Sequence, residues 1–255
     1  MRDADEVPKI ESLDDGLFIL IRTPQKRLIE PEYFTIPLGI MLSKRCLITF
    51  CTIKNDVIER LKREKLNTGK KIQTVLKLLL ASSRLYLTYL KAINRVSHII
   101  QNDLEKSMKN EELIKLLNLE KSLVYFTTSL RSNLLVISKL TKDKVFTRYE
   151  EDRELLEDVM YEYEQAMQMA DIYSNILSGM MDAFASVISN NLNRVMKLLT
   201  SVTIILMIPT LIASIYGMNI PLPFQHSENA FFITMAISFL LSAIGIIIFW
   251  RKELF

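Results

Sequence analysis

LLTSVTIILMIPTLIASIYGMN, residues 198–219, decides the architecture. Its first 18 residues, Leu198 to Ile215, carry no charge, and a helix needs about 20 apolar residues to cross a bilayer core. A second uncharged run, NAFFITMAISFLLSAIGIIIFW, fills residues 229–250. The connection between them, Tyr216 to Glu228, has no Lys or Arg, whereas Arg194 and Lys197 precede the first run and Arg251 and Lys252 follow the second. Basic residues stay on the cytoplasmic side of a membrane, so both termini are expected in the cytoplasm and the connection outside. Residues 1–15 are acidic and polar without an apolar core, so no signal peptide is expected there and insertion falls to the two closing helices.

Upstream of Lys197 the chain has the charge density of a soluble helical protein, and the apolar excess is concentrated after it. A net charge of +3 over 255 residues offers no polybasic surface for nucleic acid. Cys46 and Cys51 share one mostly apolar run, where strand alternation puts them on opposite faces, so both are expected as reduced core residues. His98 and His226 are too far apart in sequence to build a histidine metal centre alone. No glycine-rich phosphate loop, nucleophilic triad or zinc spacing is present, which argues against an enzyme and against ATP-driven work.

The proline pattern divides the rest. Prolines stand at 8, 24, 31, 37, 221 and 223, only Pro209 falls in a helical stretch, and Gly179 is the one glycine between Gly69 and Gly217. Such a long interval without breakers predicts long helices. Three apolar runs rich in β-branched and aromatic residues, Gly16–Arg22, Tyr33–Leu42 and Cys46–Ile53, predict three strands that must pack on the helices following them. A short helix is expected from Asp56 to Leu66, broken at Asn67-Thr68-Gly69. An amphipathic helix is expected from Lys70 to about Lys109, with Val75, Leu78, Leu79, Tyr86, Leu90, Ile93 and Val96 on its apolar face. After a hairpin near Asn110, another is expected from Glu111 to about Lys142, carrying Leu113, Leu116, Leu117, Leu123, Phe126 and Leu130. From Arg148 nothing stops a helix before Pro209, which is expected to kink it within the membrane. Carried to Asn219, it would extend roughly 105 Å at 1.5 Å per residue.

The first apolar run carries a polar seam. Asn193, Met196, Thr200, Thr203, Met207, Thr210 and Ser214 are spaced by alternating threes and fours, which places them on one helical face. Ile204, Ile205, Ile208 and Leu211 suit lipid better, and the second run shows no comparable seam and is expected outside the first, with Trp250 as an interfacial anchor. A threonine in such a helix also has the plain alternative of bonding only its own backbone or a neighbour. Glycine and asparagine at 217 and 219 likewise have the plain alternative of a helix C-cap. The acids Glu150, Glu151, Asp152, Glu154, Glu157, Asp158, Glu162 and Glu164 crowd one helix start, and the plain reading is a solvated face favoured by the helix dipole.

Tyr216-Gly217-Met218-Asn219, at the end of a spanning helix and before a short loop and one further span, resembles the signature of the CorA family of divalent-cation channels. Arg45-Cys46-Leu47-Ile48-Thr49-Phe50 resembles the family's last amino-domain strand, Ile176–Asp182 a stalk segment, and Asn190–Lys197 the run entering the first transmembrane helix. The resemblance implies an α+β membrane protein: a partial N-terminal α/β cytoplasmic domain, a long helical stalk and two C-terminal transmembrane helices. The corresponding divisions are 1–66 (partial α/β domain), 67–147 (helical hairpin), 148–197 (stalk), 198–219 (first transmembrane helix), 220–229 (external loop), 230–250 (second transmembrane helix) and 251–255 (cytoplasmic tail). Family members usually carry a fuller α/β domain ahead of the first strand seen here. Many also place an acid soon after the tripeptide, whereas here the first is Glu228.

It further implies passive Mg2+ influx through a homopentamer in the cytoplasmic (inner) membrane, with Co2+, Ni2+ and Zn2+ as alternative cargoes and no cofactor. Gly217, Met218 and Asn219 would form the selectivity filter. Family pore positions fall here on Asn193, Met196, Leu199, Met207 and Thr210, beside Thr203 from the seam. Apolar rings at Met196, Leu199 and Met207 can close a pore by dewetting, and Asn193 and Thr210 would be polar resting points. Because Mg2+ gives up water reluctantly, the Asn219 amide and nearby carbonyls would accept hydrogen bonds from the ion's own waters, which only a symmetric ring of copies can arrange. Gly217 lets the backbone leave the helix without a Cβ clash, and Met218 is expected to pack on the neighbouring helix. Asp158 matches a family acid that binds regulatory divalent ions between subunits, although the usual partner acid has no match. The competing readings are a zinc transporter of the same superfamily and a non-conducting membrane-anchored helical scaffold.

Overall fold

Gly16 follows the turn of the first hairpin, and a Cβ there would lie 2.1 Å from the Leu42 carbonyl oxygen of the strand on its other side. In the computed structural model, which describes residues 6–27, 32–63, 69–107, 110–223 and 229–252, this hairpin joins β1 (Lys9–Leu13) to β2 (Gly16–Lys26). β3 (Tyr33–Ser43) and β4 (Leu47–Cys51) complete an antiparallel meander in the order β1-β2-β3-β4. The sequence reading thus missed β1, whose charged, half-exposed residues show no apolar run. It also ended β2 before Pro24. That proline is tolerated because β1 reaches only as far as Leu20, so β2 has one strand neighbour there. Pro37 is placed likewise, beyond the stretch of β3 that pairs with β4.

Among the described residues, five helices follow the strands. α1 (Asp56–Leu61) begins at Asn55, whose Oδ1 accepts from Val57 N at 2.9 Å and whose Nδ2 donates to Thr23 Oγ1 at 2.8 Å. This cap, worth about 1 kcal/mol in itself, also ties α1 to β2. The helix ends at Leu61 with its C-cap at Lys62, short of the expected Leu66, and the break expected at 67–68 lies outside the described residues. α2 (Lys71–Ser107) and α3 (Asn110–Leu140) match the expected amphipathic pair closely. On α3 the buried positions Leu116, Leu119, Leu123, Phe126, Leu130, Asn133, Ile137 and Leu140 form one stripe at helical spacing, while Leu117 lies off it and is exposed. As expected, the strands pack on the helices that follow. Thr35 Oγ1 and Ser129 Oγ of α3 share a 2.8 Å hydrogen bond, and Tyr86 of α2 donates to the Arg22 carbonyl at 2.9 Å.

α4 (Glu150–Tyr216) is one 67-residue helix that continues through Pro209. The chain divides into two compact units, residues 1–181 and 182–255, with the boundary inside α4. In the first unit α4 buries Leu156, Val159, Tyr163, Ala166 and Ala170, and Tyr86 stacks between Phe126 (5.1 Å, edge-on) and Tyr163 (6.4 Å). Burial pushes the Tyr86 and Tyr163 hydroxyls far above the usual phenol range. Burial, reinforced by donation to Asp56 at 2.7 Å, does the same to Tyr89.

The second unit pairs the C-terminal part of α4 with α5 (Ala230–Arg251). The apolar stretches of both are long enough to cross a membrane and are almost wholly unburied within the chain. Cys46 and Cys51 are free but exposed, not core, because β4 is an edge strand whose far side no described element covers.

Candidate functional site

α4 presents two opposite faces in the second unit. Ser201, Ile205, Ile208, Ile212 and Tyr216 are its less exposed positions there, spaced by fours and threes. They form the side that meets α5: a Cβ added at Gly245 would lie 3.4 Å from Ile208 Cδ1 and 3.9 Å from Ile205 Cγ1. The expectation that Ile205 and Ile208 face lipid is therefore corrected, whereas Ile204 and Leu211 are exposed in the single chain. α5 has Ala230, Ile233, Thr234, Ser238, Ser242, Gly245 and Phe249 as its own less exposed positions, and four of these, Thr234, Ser238, Ser242 and Gly245, are small or hydroxyl-bearing. Small residues let two helices approach closely in a membrane, where no hydrophobic effect drives them together. Their spacing of four, four and three was visible in the sequence but was masked by the apolar average of the run.

The polar seam lies on the other side. At about 100° per residue, Met196, Thr200, Thr203, Met207, Thr210 and Ser214 point roughly opposite to the α5-facing positions. All of them are exposed in the single chain, as are Asn193 and Leu199. Thr203 Oγ1 donates to the Leu199 carbonyl at 2.8 Å and Thr210 Oγ1 to the Leu206 carbonyl at 3.1 Å. Each hydroxyl thus satisfies its proton on its own helix and keeps its acceptor lone pairs outward.

Tyr216 ends α4, and the tripeptide follows as the turn beyond it. Gly217 N donates to the Ala213 carbonyl at 2.9 Å and Met218 N to the Ile215 carbonyl at 3.1 Å. A Cβ on Gly217 would lie 3.3 Å from the Ala213 oxygen, a tight approach that needs a small shift. Tyr216 turns back to donate to the Pro223 carbonyl at 3.3 Å. Met218 is half exposed, so the expected packing on a neighbouring helix is not made within the chain. The Asn219 side chain is exposed and bonds no described residue. The loop positions Phe224–Glu228, including Glu228 and His226, lie outside the described residues.

The acidic start of α4 is more than a solvated face. Glu151 pairs with Lys70 at 2.9 Å and accepts from Gln73 Nε2 at 3.0 Å, Glu162 pairs with Arg84 at 3.2 Å, and Arg153 bridges Glu150 and Glu157. Two of these acids therefore clamp α4 to α2. The bond from Lys70 holds the Glu151 carboxyl below its usual range. Asp152 is buried, and Asp158 is exposed without an ion pair to a described residue. Among the described residues no group of three His, Cys, Asp or Glu converges to hold a metal ion.

Comparison with known proteins agrees with this architecture. The model of the family described as CorA-like Mg2+ transporter protein matches residues 1–252. The chain is 32% identical to the cobalt/magnesium transport protein CorA of Methanocaldococcus jannaschii, over 98% of this chain and 80% of that one. With the Thermotoga maritima protein of the same description it shares 27% identity, over 96% of this chain and 72% of the relative. The complete structure of the M. jannaschii CorA magnesium transporter superposes with a TM-score of 0.85 at 30% identity, again covering 98% and 80%. The full-length CmaX structure superposes at 0.71 with 15% identity, a likeness of fold alone. A cytoplasmic sheet-and-helix unit, a long stalk helix and two closing apolar helices are thus shared over nearly all of this chain, and the chain belongs to the CorA family of divalent-cation transporters.

Proposed function

We propose that this chain is the subunit of a homo-oligomeric channel, a pentamer, that passes hydrated Mg2+ down its electrochemical gradient into the cytoplasm. The observation that carries the reading is the division of α4 into two faces. One packs on α5, and the opposite one, with its threonines and methionines, is exposed in the single chain. Copies arranged around an axis, with this face inward, would enclose a path lined by Asn193, Met196, Leu199, Thr203, Met207 and Thr210. Hydroxyl and amide oxygens along it accept hydrogen bonds from an ion's water shell, and the methionine and leucine rings form the apolar gate.

Gly217, Met218 and Asn219 form the entrance, where the free Asn219 amide meets the hydrated ion. The residue ranges 148–197, 198–219 and 230–250 serve as stalk, pore helix and outer helix. The distribution of Lys and Arg puts both termini in the cytoplasm. Inward movement of a divalent ion gains about 4.6 kcal/mol per 100 mV, which makes a channel sufficient without coupled energy. Asp158 supplies one carboxylate of a regulatory site completed by a second subunit.

Co2+ is a second cargo, because the two relatives compared above are described as cobalt/magnesium transport proteins. Oxygen donors suit hard ions better than Zn2+. The test is ion flux into liposomes containing the wild type or Asn219→Ala, with Mg2+, Co2+, Ni2+ and Zn2+ offered separately. Mg2+ flux in the wild type, lost in the variant, supports the reading. A wild type that conducts no ion returns the scaffold reading, and Zn2+ flux without Mg2+ flux returns the zinc transporter.

A further inference from the structure

A cleft of about 1040 Å³ opens in the first unit, between the β1–β2 turn, the end of β3, the start of α2 and the segment leading into α4. That is the size of a small-molecule site. Much of its wall is apolar, formed by Leu13, Leu17, Leu42, Ile72, Val145 and Tyr149.

Most of the charge around it is already committed. The Lys71 ammonium donates to the carbonyls of Ser43 and Lys44. Lys70 is paired with Glu151, which also receives Gln73 and thereby occupies the basic start of α2. Glu150 is paired with Arg153, and Asp143 accepts from Val145 N at 2.9 Å. Lys44 stands exposed on the rim. Asp152 alone is different: it lines the cleft, is only 5% exposed, and its carboxylate bonds no described residue. Its place in the first turn of α4 sets it in the favourable end of the helix dipole, yet that supplies no hydrogen bond to its oxygens. Its oxygens are not sealed off from the cleft, so a cation entering there meets a carboxylate that no side chain has neutralised.

The geometry points to a binding site for a small organic cation, a primary ammonium or guanidinium on a short aliphatic or aromatic body. The charged head meets Asp152 and the body covers the leucine wall. An anion is disfavoured because Lys70 and Lys71 are already paired within the fold. A bare divalent ion is disfavoured because it needs several converging oxygens, and the described residues provide no such group. The site is independent of conduction, so its test reads binding and not flux.

The full chain, in nanodiscs of zwitterionic lipid with empty discs as the blank, is titrated calorimetrically with cyclohexylmethylamine. Cyclohexylmethanol and cyclohexanecarboxylate serve as neutral and anionic matches. The expected result is saturable binding of the amine alone, weakened at least roughly tenfold by Asp152→Asn, the scale of a lost charged hydrogen bond. Equal binding of the alcohol or the carboxylate, unchanged binding in Asp152→Asn, or one-for-one displacement of the amine by Mg2+ overturns the assignment. Should Asp152→Asn not fold, Ile72→Trp fills the cleft while leaving the carboxylate in place. Loss of amine binding in that variant supports the site, and retention overturns it.

Discussion

The Asn133 side chain holds Arg22 by both main-chain groups: Oδ1 accepts from the Arg22 N–H at 2.9 Å, and Nδ2 donates to the Arg22 carbonyl at 2.7 Å. A neighbouring strand would make the same two bonds. β1 stops at the pair Lys9–Leu20, so β2 is left with an open edge at Arg22, and α3 closes it with one amide. Tyr86 of α2 adds a second donor to the same carbonyl.

Replacing Asn133 by Leu should therefore cost more than a typical surface change. It keeps the bulk but leaves the Arg22 N–H without its partner and the carbonyl with Tyr86 alone, for a loss of about 1–3 kcal/mol. Tyr86→Phe removes one bond of three and should cost about 1 kcal/mol. Thermal unfolding of the purified protein checks both, and equal stability of Asn133→Leu and wild type would refute the edge-closing role.

The two faces of α4 should differ in access to water. In a background with Cys46 and Cys51 changed to serine, cysteines placed at Thr203 and Thr210 should react with a membrane-impermeant thiol reagent and block flux. A cysteine at Ile205 should do neither, since that position packs beside Gly245 of α5. Reaction at Ile205 as fast as at Thr203 would contradict the proposed path.

Gly245 should accept alanine and reject larger residues. Its added Cβ would lie at 3.4 Å from Ile208 Cδ1, ordinary contact with the end of a flexible side chain. Gly245→Leu cannot fit without parting the helices, and overpacking of this kind costs roughly 1–3 kcal/mol. The melting temperature of the detergent-solubilised protein should fall for leucine and stay near wild type for alanine.

Acid should weaken the clamp between α2 and α4. Hydrogen bonds from Lys70 and then Gln73 lower the Glu151 carboxyl from its ordinary 4.5. A group with a lowered folded value contributes stability that is present above the unfolded value and lost as pH falls through the folded one. The stability difference between wild type and Glu151→Gln should thus be present at neutral pH and shrink below about pH 4.5. Both partners are exposed, so the difference should be small and should fade in about 1 M salt. A difference that grows on acidification would have the wrong sign for this pairing.

Long-range order along the chain was legible because it depends on local composition. Uncharged runs at 198–215 and 229–250, the scarcity of proline and glycine between Gly69 and Gly217, and the three–four spacing of Thr200, Thr203, Met207 and Thr210 are properties of adjacent residues. They set helix length, membrane affinity and the existence of a polar face before any contact is formed. What surrounds each face was decided only in three dimensions. Ile205 and Ile208 look like lipid-facing residues in the sequence and become the packing surface for Gly245. β1 has no apolar signature and exists because β2 offers it an edge. Pro24 reads as a breaker yet lies within β2, because at that point the strand has only one neighbour. Asn133 and Asp152 are ordinary polar residues on amphipathic helices, and only tertiary contact gives one a main-chain partner 111 residues away and leaves the other buried without one. Periodicity is encoded locally. The identity of the neighbour is set by packing between residues distant in sequence, which no local pattern contains.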